Sequence, residues 1–420
     1  MEVEKIINSY IMKNWQYIFV IVLFCSCTAT VKQEKPEETS EGYSIVDLTE
    51  VEYSDVSPKL SEFADSISYI RLDEEPLIGD IWFAGVVVTD DAIFIDHEQI
   101  YKYTLDGKFL LSLFQKGNGP EEAVKSDRGI YNFEKKYVTV SNAAGLYYNS
   151  YSFDGKFLGY QNKNKDEDPD DKFDIEKTKS TKIICGYLGD VQVYAYFCQP
   201  FAAKVGERLN PNGPILLYAK NLATDSVMMK LPNYHFDLKA TRQPIASKPS
   251  GYPLDYGNID SFYWVRPVML DTLYRTSDFE SLQPWYVLKL KESAADYAFR
   301  VRSMLMDIDK SEYNREELMN VYALTSGVLF QYSAATAGGV GYCKAGGKAK
   351  TISRYFENDL DGYLKELSLE GLGEKKMSQR DGYLYALVNA EEFFKDGSKS
   401  PFPDLTEDSN PVVVKLKLKK

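Results

Sequence analysis

Few residues of this chain combine the types and spacings that chemistry requires. Two histidines, His97 and His235, are all that 420 residues contain, and neither belongs to an HExxH pair that would hold zinc. His97 follows an apolar run in Asp96-His97-Glu98, which is the place of a turn residue. Asp166-Glu167-Asp168-Pro169-Asp170-Asp171 sets carboxylates at alternate positions, as a calcium loop does at its first, third and fifth sites. The glycine needed at the sixth site is Asp171 and the bidentate Glu needed at the twelfth is Lys177, so the segment reads as a solvated charged loop. Gly338-Gly339-Val340-Gly341 and Gly346-Gly347-Lys348 invite a phosphate-loop reading. The required first Gly falls on Tyr342, and Ala349 stands where Ser or Thr would hold magnesium, so both read as hairpin turns. No GxSxG elbow exists for a serine hydrolase. Tyr147, Tyr148, Tyr151, Trp264 and Trp285 are of the type that stacks on sugar rings, but strand alternation sends half of such side chains into a core, and burial is expected of each. The sequence nominates no catalytic, metal-binding or cofactor-binding residue, and no cofactor.

What must position any site is legible in a repeat. Leu105-Asp106-Gly107-Lys108-Phe109-Leu110 and Phe153-Asp154-Gly155-Lys156-Phe157-Leu158 lie 48 residues apart. Asp-Gly between alternating apolar residues signals a hairpin, because glycine supplies the positive φ of a tight turn. Recurrence at about 40–50 residues points to a propeller with one four-stranded sheet per repeat. The 32 Tyr and 22 Phe suit an all-β chain.

Strands are expected at Ile67–Leu72, then in blade one (80–88, 92–96, 99–105, 109–114) and blade two (128–133, 137–141, 146–153, 157–161). Blade three takes 182–187, 191–198, 214–220 and 227–231; blade four takes 261–267, 271–275 and 285–290. Helix formers among Ala295, Phe299, Met304, Met306, Leu318 and Val321 predict a small helical insertion at about 292–321. Blade five resumes with 328–333, 341–345 and 350–356, and the last blade takes 363–367, 383–388 and 412–418. An open ring would expose strand edges, so the terminal VVVKLKLK is expected to pair with ISYIRL. The expectation is a six-bladed β-propeller over residues 44–420, closed by its N- and C-terminal strands.

The N-terminus reads as an address. Tyr17–Cys25 is a nine-residue apolar run after Lys13, short for a membrane span and right for a secretory signal. Phe24-Cys25-Ser26-Cys27 resembles the lipobox of bacterial lipoproteins, in which the last Cys is acylated, so residues 1–27 form a lipoprotein signal with lipidation at Cys27. Translation from Met12 removes the acidic, atypical first eleven residues. Residues 28–43 have almost no large apolar side chain and read as a disordered tether.

Ile67 through Glu122 resembles the first blade of the six-bladed β-propeller lipoproteins of Gram-negative envelopes. The resemblance rests on Leu72-Asp73, Asp96, Asp106–Leu110 and Gly117-Asn118-Gly119-Pro120-Glu121-Glu122. Asp271-Thr272-Leu273-Tyr274, Asn358-Asp359-Leu360-Asp361-Gly362 and Asn410-Pro411-Val412 extend it over roughly residues 44–420. It implies the fold and a location in the cell envelope, anchored to the outer membrane and facing the periplasm or the surface. It carries over no catalytic residue.

A net charge of −13 without a basic stripe repels phosphate backbones, so no nucleic acid is expected as partner. Cys185 and Cys198 flank a hairpin in a register that makes a cross-strand bridge doubtful, and three body cysteines including Cys343 argue for burial. The reading is a non-enzymatic, lipid-anchored propeller that binds an envelope protein or glycan ligand. Two alternatives stand beside it: a propeller enzyme acting on a carbohydrate or lactone, and a structural subunit of an outer-membrane assembly working through the 292–321 insert. Ionisable side chains converging in the channel mouth would favour the enzyme; Tyr, Asn and backbone there would favour binding.

Overall fold

The computed structural model describes residues 42–79, 81, 84–117, 119, 121–123, 129–141, 147–162, 180–198, 205–206, 215–232, 254–267, 270–292, 294, 316–333, 337–369, 377–395 and 397–420. The signal with Cys27, nearly all of the tether, His235, the acidic loop 166–171 and most of the expected helical insertion lie outside them.

Six antiparallel sheets form a β-propeller. Blade one is Gly85–Val88, Ile93–Asp96, Ile100–Tyr103 and Phe109–Ser112, and blade two is Gly129–Asn132, Tyr137–Ser141, Tyr147–Ser152 and Phe157–Asn162. Blade three is Ser180–Leu188, Val191–Cys198, Ile215–Asn221 and Ser226–Pro232. Blade four is Leu254–Ile259, Phe262–Pro267, Thr272–Thr276 and Gln283–Lys289, with Ser44–Asp47 added parallel at its outer edge. Blade five is Glu317–Leu324, Gly327–Ser333 and Gly338–Lys344, continued by Thr351–Ile352, which Glu52–Tyr53 joins in parallel. Blade six is Met377–Arg380, Tyr383–Val388, Val412–Leu418 and Ala64–Arg71. The first strand of each blade is innermost: those of blades two and three, four and five, and six and one touch.

Closure follows the expected pairing. Val414 faces Tyr69 and Lys415 faces Ser68, so the C-terminal strand lies between Tyr383–Val388 and Ala64–Arg71. Both Asp-Gly turns then show why the phrase repeats. Each joins the third strand of its blade to the outer one and rests on the preceding blade. Gly107 (φ +90°) lies so close to blade six that a Cβ would sit 1.9 Å from the Arg71 carbonyl oxygen, while at Gly155 (φ +79°) the nearest atom, of Leu111 in blade one, is 3.4 Å away. Asp73 completes the first joint, since its N–H donates to the Gly107 carbonyl (2.9 Å) and its carboxylate accepts from Phe109 N–H (2.9 Å). Gly107→Ala should therefore cost about 2–4 kcal/mol, from steric overlap added to left-handed strain. Gly155→Ala should cost only about 1–2 kcal/mol, from strain alone. Urea midpoints of the two variants test the ranking, and equal losses would show that the Arg71 contact carries no energy.

The resemblance motifs hold loops. Glu122 accepts from Gly119 N–H at 2.7 Å, and its carbonyl accepts from Asn149 Nδ2 at 3.1 Å, tying the link between blades one and two. Buried Asn410 donates to the carbonyls of Asp73 (2.7 Å) and Pro76 (2.9 Å) and accepts from Ile78 N–H (2.8 Å).

Three expectations are corrected. Residues 317–321 are not helical; they belong to Glu317–Leu324, the inner strand of blade five. Leu318 and Val321–Leu324 are all buried, so the strand has no alternating face and its helix-forming residues mislead. Gly338, Gly339 and Gly341 lie within a strand rather than in a turn, where a Cβ on Gly339 would stand 2.7 Å from the Ser353 carbonyl. The glycines admit a neighbouring backbone. Gly346 (φ +70°) does stand in a turn. Finally, Glu366–Leu367 pairs with Phe356–Glu357 in a separate ribbon, and the inner strand of blade six is Met377–Arg380.

Candidate binding channel

The hairpins leaving the inner strands meet around one mouth of the channel. Arg380 of blade six pairs with Asp90 of blade one at 2.5 Å, Lys136 of blade two with Asp91 at 3.7 Å, and Lys135 with Asp190 of blade three at 3.1 Å. Asp381 N–H donates to the Asp260 carboxylate at 3.2 Å, joining blades six and four. The two-residue loops Asp260-Ser261 and Asp381-Gly382 demand positive φ, adopted by Asp260 (+48°) and Asp381 (+51°). Aspartate tolerates that region better than most residues.

Inside lies a cavity of about 50 Å³, walled by all six inner strands. Its polar lining residues are Tyr131, Tyr256, Asn258, Tyr322, Ser378 and Gln379 beside the charged Asp96, Asp260 and Arg380. That volume holds a few water molecules and no sugar ring. Among its ionisable lining residues, Asp96 accepts the N–H of Gly129, the first residue of blade two's inner strand. Arg380 and Asp260 stand at the opposite, hairpin end of their blades. Burial and the Asp96 charge push the Tyr131 phenol well above its ordinary pKa, so its hydroxyl stays protonated. Among the described residues, the Tyr131 hydroxyl, Asn258 Oδ1 and Gln379 Oε1 are buried with no hydrogen-bond partner. Sequence reasoning missed all three: it predicts the strand of Tyr131 but not its place in the channel, while Leu254–Ile259, with its Asp, Gly and Asn, and the short polar Met377–Arg380 are not predicted as strands.

Of the histidine, aromatic and cysteine residues weighed from the sequence, Cys185 lines the cavity, and the other described ones lie elsewhere. His97 sits in the turn after Ile93–Asp96, its N–H donating to the Gln99 carbonyl at 3.0 Å. Tyr148, Tyr151, Trp264 and Trp285 are buried, and Tyr147 packs its ring against Tyr160. Cys185 falls at a bulge, with Ile184 rather than Cys185 facing Tyr194. Cys185 and Cys343 are buried, and burial pushes the Cys343 thiol up to about 11. Among the described residues no three of His, Cys, Asp and Glu gather as metal ligands, and no helix is long and apolar enough to cross a membrane.

A family profile described as a domain of unknown function (DUF4934) matches residues 43–417. Solved structures resemble the chain at low identity. A Bacteroides fragilis protein described as exported is 11% identical, with a TM-score of 0.58 over 90% of this chain and 100% of its own. A member of the DUF4221 family from Bacteroides vulgatus is 13% identical, with a TM-score of 0.43 over 85% and 99%. The WD40 repeats of RRP9 are 10% identical, with a TM-score of 0.37 over 87% and 97%. No curated protein matches the chain.

Proposed function

The chain belongs to the DUF4934 family, and on that premise we propose that it is a non-catalytic binding scaffold of the cell envelope. Lipid on Cys27 holds it to the outer membrane, and the propeller presents the hairpin mouth of its channel to an envelope protein or a glycan. The observation that carries this reading is the channel itself. A cavity of about 50 Å³, whose apolar wall carries Tyr, Asn, Ser and Gln beside Asp96, Asp260 and Arg380, engages the tip of a ligand and cannot engulf a substrate. Two or more acyl chains at about 0.8 kcal/mol per buried CH₂ suffice for stable anchoring. The likeness to an exported Bacteroides protein is in keeping with an envelope location.

Crosslinking in intact envelopes followed by identification of the partners tests the binding reading. Recovery of a reproducible partner is expected; no partner together with turnover of a polysaccharide would overturn it. Cys27→Ala should move the protein to the soluble fraction, and continued retention on membranes would contradict the anchor.

One observation favours a second reading, an enzyme acting on a carbohydrate or lactone: Asp90, Asp260, Arg380 and Asp381 gather at one mouth. Arg380 is already paired with Asp90, and Asp260 already accepts a backbone N–H. Asp381 lies 3.8 Å from the Arg380 guanidinium, so these groups are engaged with one another across the mouth.

A further inference from the structure

Tyr131, Asn258 and Gln379 share more than their unpartnered oxygens. Each is the penultimate residue of an inner strand, in Gly129–Asn132, Leu254–Ile259 and Met377–Arg380 respectively. They therefore form one tier at the hairpin end of the channel, contributed by alternate blades. All three line the same cavity. Tyr131 is 6% exposed and Gln379 5%. The Asn258 amide is oriented by its Nδ2, which donates to the Tyr187 carbonyl at 3.4 Å, leaving Oδ1 as an acceptor without a partner.

Three acceptors in one tier select a donor with three hydrogens. A primary ammonium has three N–H donors and no acceptor, whereas hydroxyls bring one donor each. Charge agrees. The charged lining residues are Asp96, Asp260 and Arg380, and the Arg380 guanidinium is matched by Asp90 at 2.5 Å, so the lining brings no unmatched positive charge to repel an ammonium. Tyr256 and Tyr322 add rings to the same wall, a surface that attracts cations. The small volume admits an ammonium tip and excludes the body that carries it.

We propose that this tier is a receptor for a primary ammonium group, carried by a lysine side chain of a protein ligand or by an amino sugar. The proposal rests on the binding reading above and names the chemistry that the mouth recognises.

Calorimetric titration of the full chain tests it with four probes: N-acetyl-lysine amide, its Nε-acetylated form, glucosamine and N-acetylglucosamine. A free amine should bind about tenfold or more tightly than its acetylated counterpart, because a charge-assisted hydrogen bond is lost. Preference for the lysine amide identifies a protein ligand, and preference for glucosamine a glycan. Gln379→Met and Asn258→Leu should each weaken amine binding by about tenfold. Gln379→Met should leave the melting temperature unchanged or raised, since it removes a buried acceptor that has no partner, whereas Asn258→Leu also gives up the Nδ2 bond to the Tyr187 carbonyl and is read for binding alone. A merely structural role of Gln379 would lower that temperature. Equal binding of free and acetylated probes, binding unchanged in both variants, or no binding beyond ordered water would each overturn the proposal. Failure here with an envelope partner still recovered by crosslinking removes the ammonium site alone. Amine binding with no envelope partner removes the scaffold reading and keeps the site.

Discussion

A chain ending at Pro411 should lose cooperative unfolding altogether. The missing segment, Val412–Leu418, is an interior strand of blade six, bonded to Tyr383–Val388 on one side and Ala64–Arg71 on the other. Val412, Val413, Val414 and Leu416 are fully buried and Leu418 is nearly so. At about 1.5–3 kcal/mol for each buried aliphatic side chain, these five match the whole margin of about 5–15 kcal/mol by which a domain stays folded. Truncation also leaves two unpaired edges facing a gap, a template for association. Far-UV circular dichroism against urea and size-exclusion chromatography check this. A truncated monomer with a sharp transition near the full-length midpoint would mean that the ring does not need its clasp.

Arg266→Met should destabilise the protein by about 3–5 kcal/mol, because it leaves a buried carboxylate without its counter-charge. Arg266 is fully buried and donates to Asp255 through Nε at 2.8 Å and through a second nitrogen at 2.5 Å. Asp255 also accepts from Val321 N–H at 3.1 Å, so this pair ties the inner strand of blade four to that of blade five. Asp255→Leu combined with Arg266→Met should recover most of the loss, since an apolar pair of similar volume has no charge to desolvate. The single variant carries a pH signature. Burial already raises the Asp255 carboxyl, and the guanidinium opposes that rise. Without Arg266 the folded-state pKa climbs further above the unfolded one, so the folded protein holds a proton that the unfolded chain releases. Stability then falls as pH rises above the unfolded value of about 3.9. The penalty should be greatest at neutral pH and shrink towards pH 4–5. Urea titrations at a series of pH values test it; a penalty that grows on acidification, or a double variant no better than the single, would show that the pair is not the cause.

How much was legible depended on where a strand lies in its blade. All four strands of blades one and two were placed from the sequence, because two short turns announce them and their strands alternate or are plainly apolar. The closing strand was legible for a different reason: VVVKLKLK is too apolar for a free terminus, and a ring offers one place to put it. The inner strands of blades four, five and six were not recovered. Leu254–Ile259 contains Asp255, Gly257 and Asn258, Met377–Arg380 is short and polar, and the second half of Glu317–Leu324, from Val321 on, is buried on both faces. An inner strand answers to the channel rather than to a sheet with one wet face, so neither period 2 nor β-propensity marks it. The parallel strands Ser44–Asp47 and Glu52–Tyr53 were equally silent, since their partners lie more than two hundred residues away.

By itself the sequence determined the class of fold, the number of blades and the strand that shuts the ring. Those follow from glycine-dependent turns and from apolar residues that must leave water, both of which are local or compositional. The tertiary structure alone decided that Tyr131, Asn258 and Gln379 share a tier, that Arg380 and Asp260 stand at the mouth while Asp96 stands behind, and that Arg266 joins two blades. Residues scattered over two hundred and fifty positions become neighbours only when the ring closes, and no period in the chain encodes that meeting.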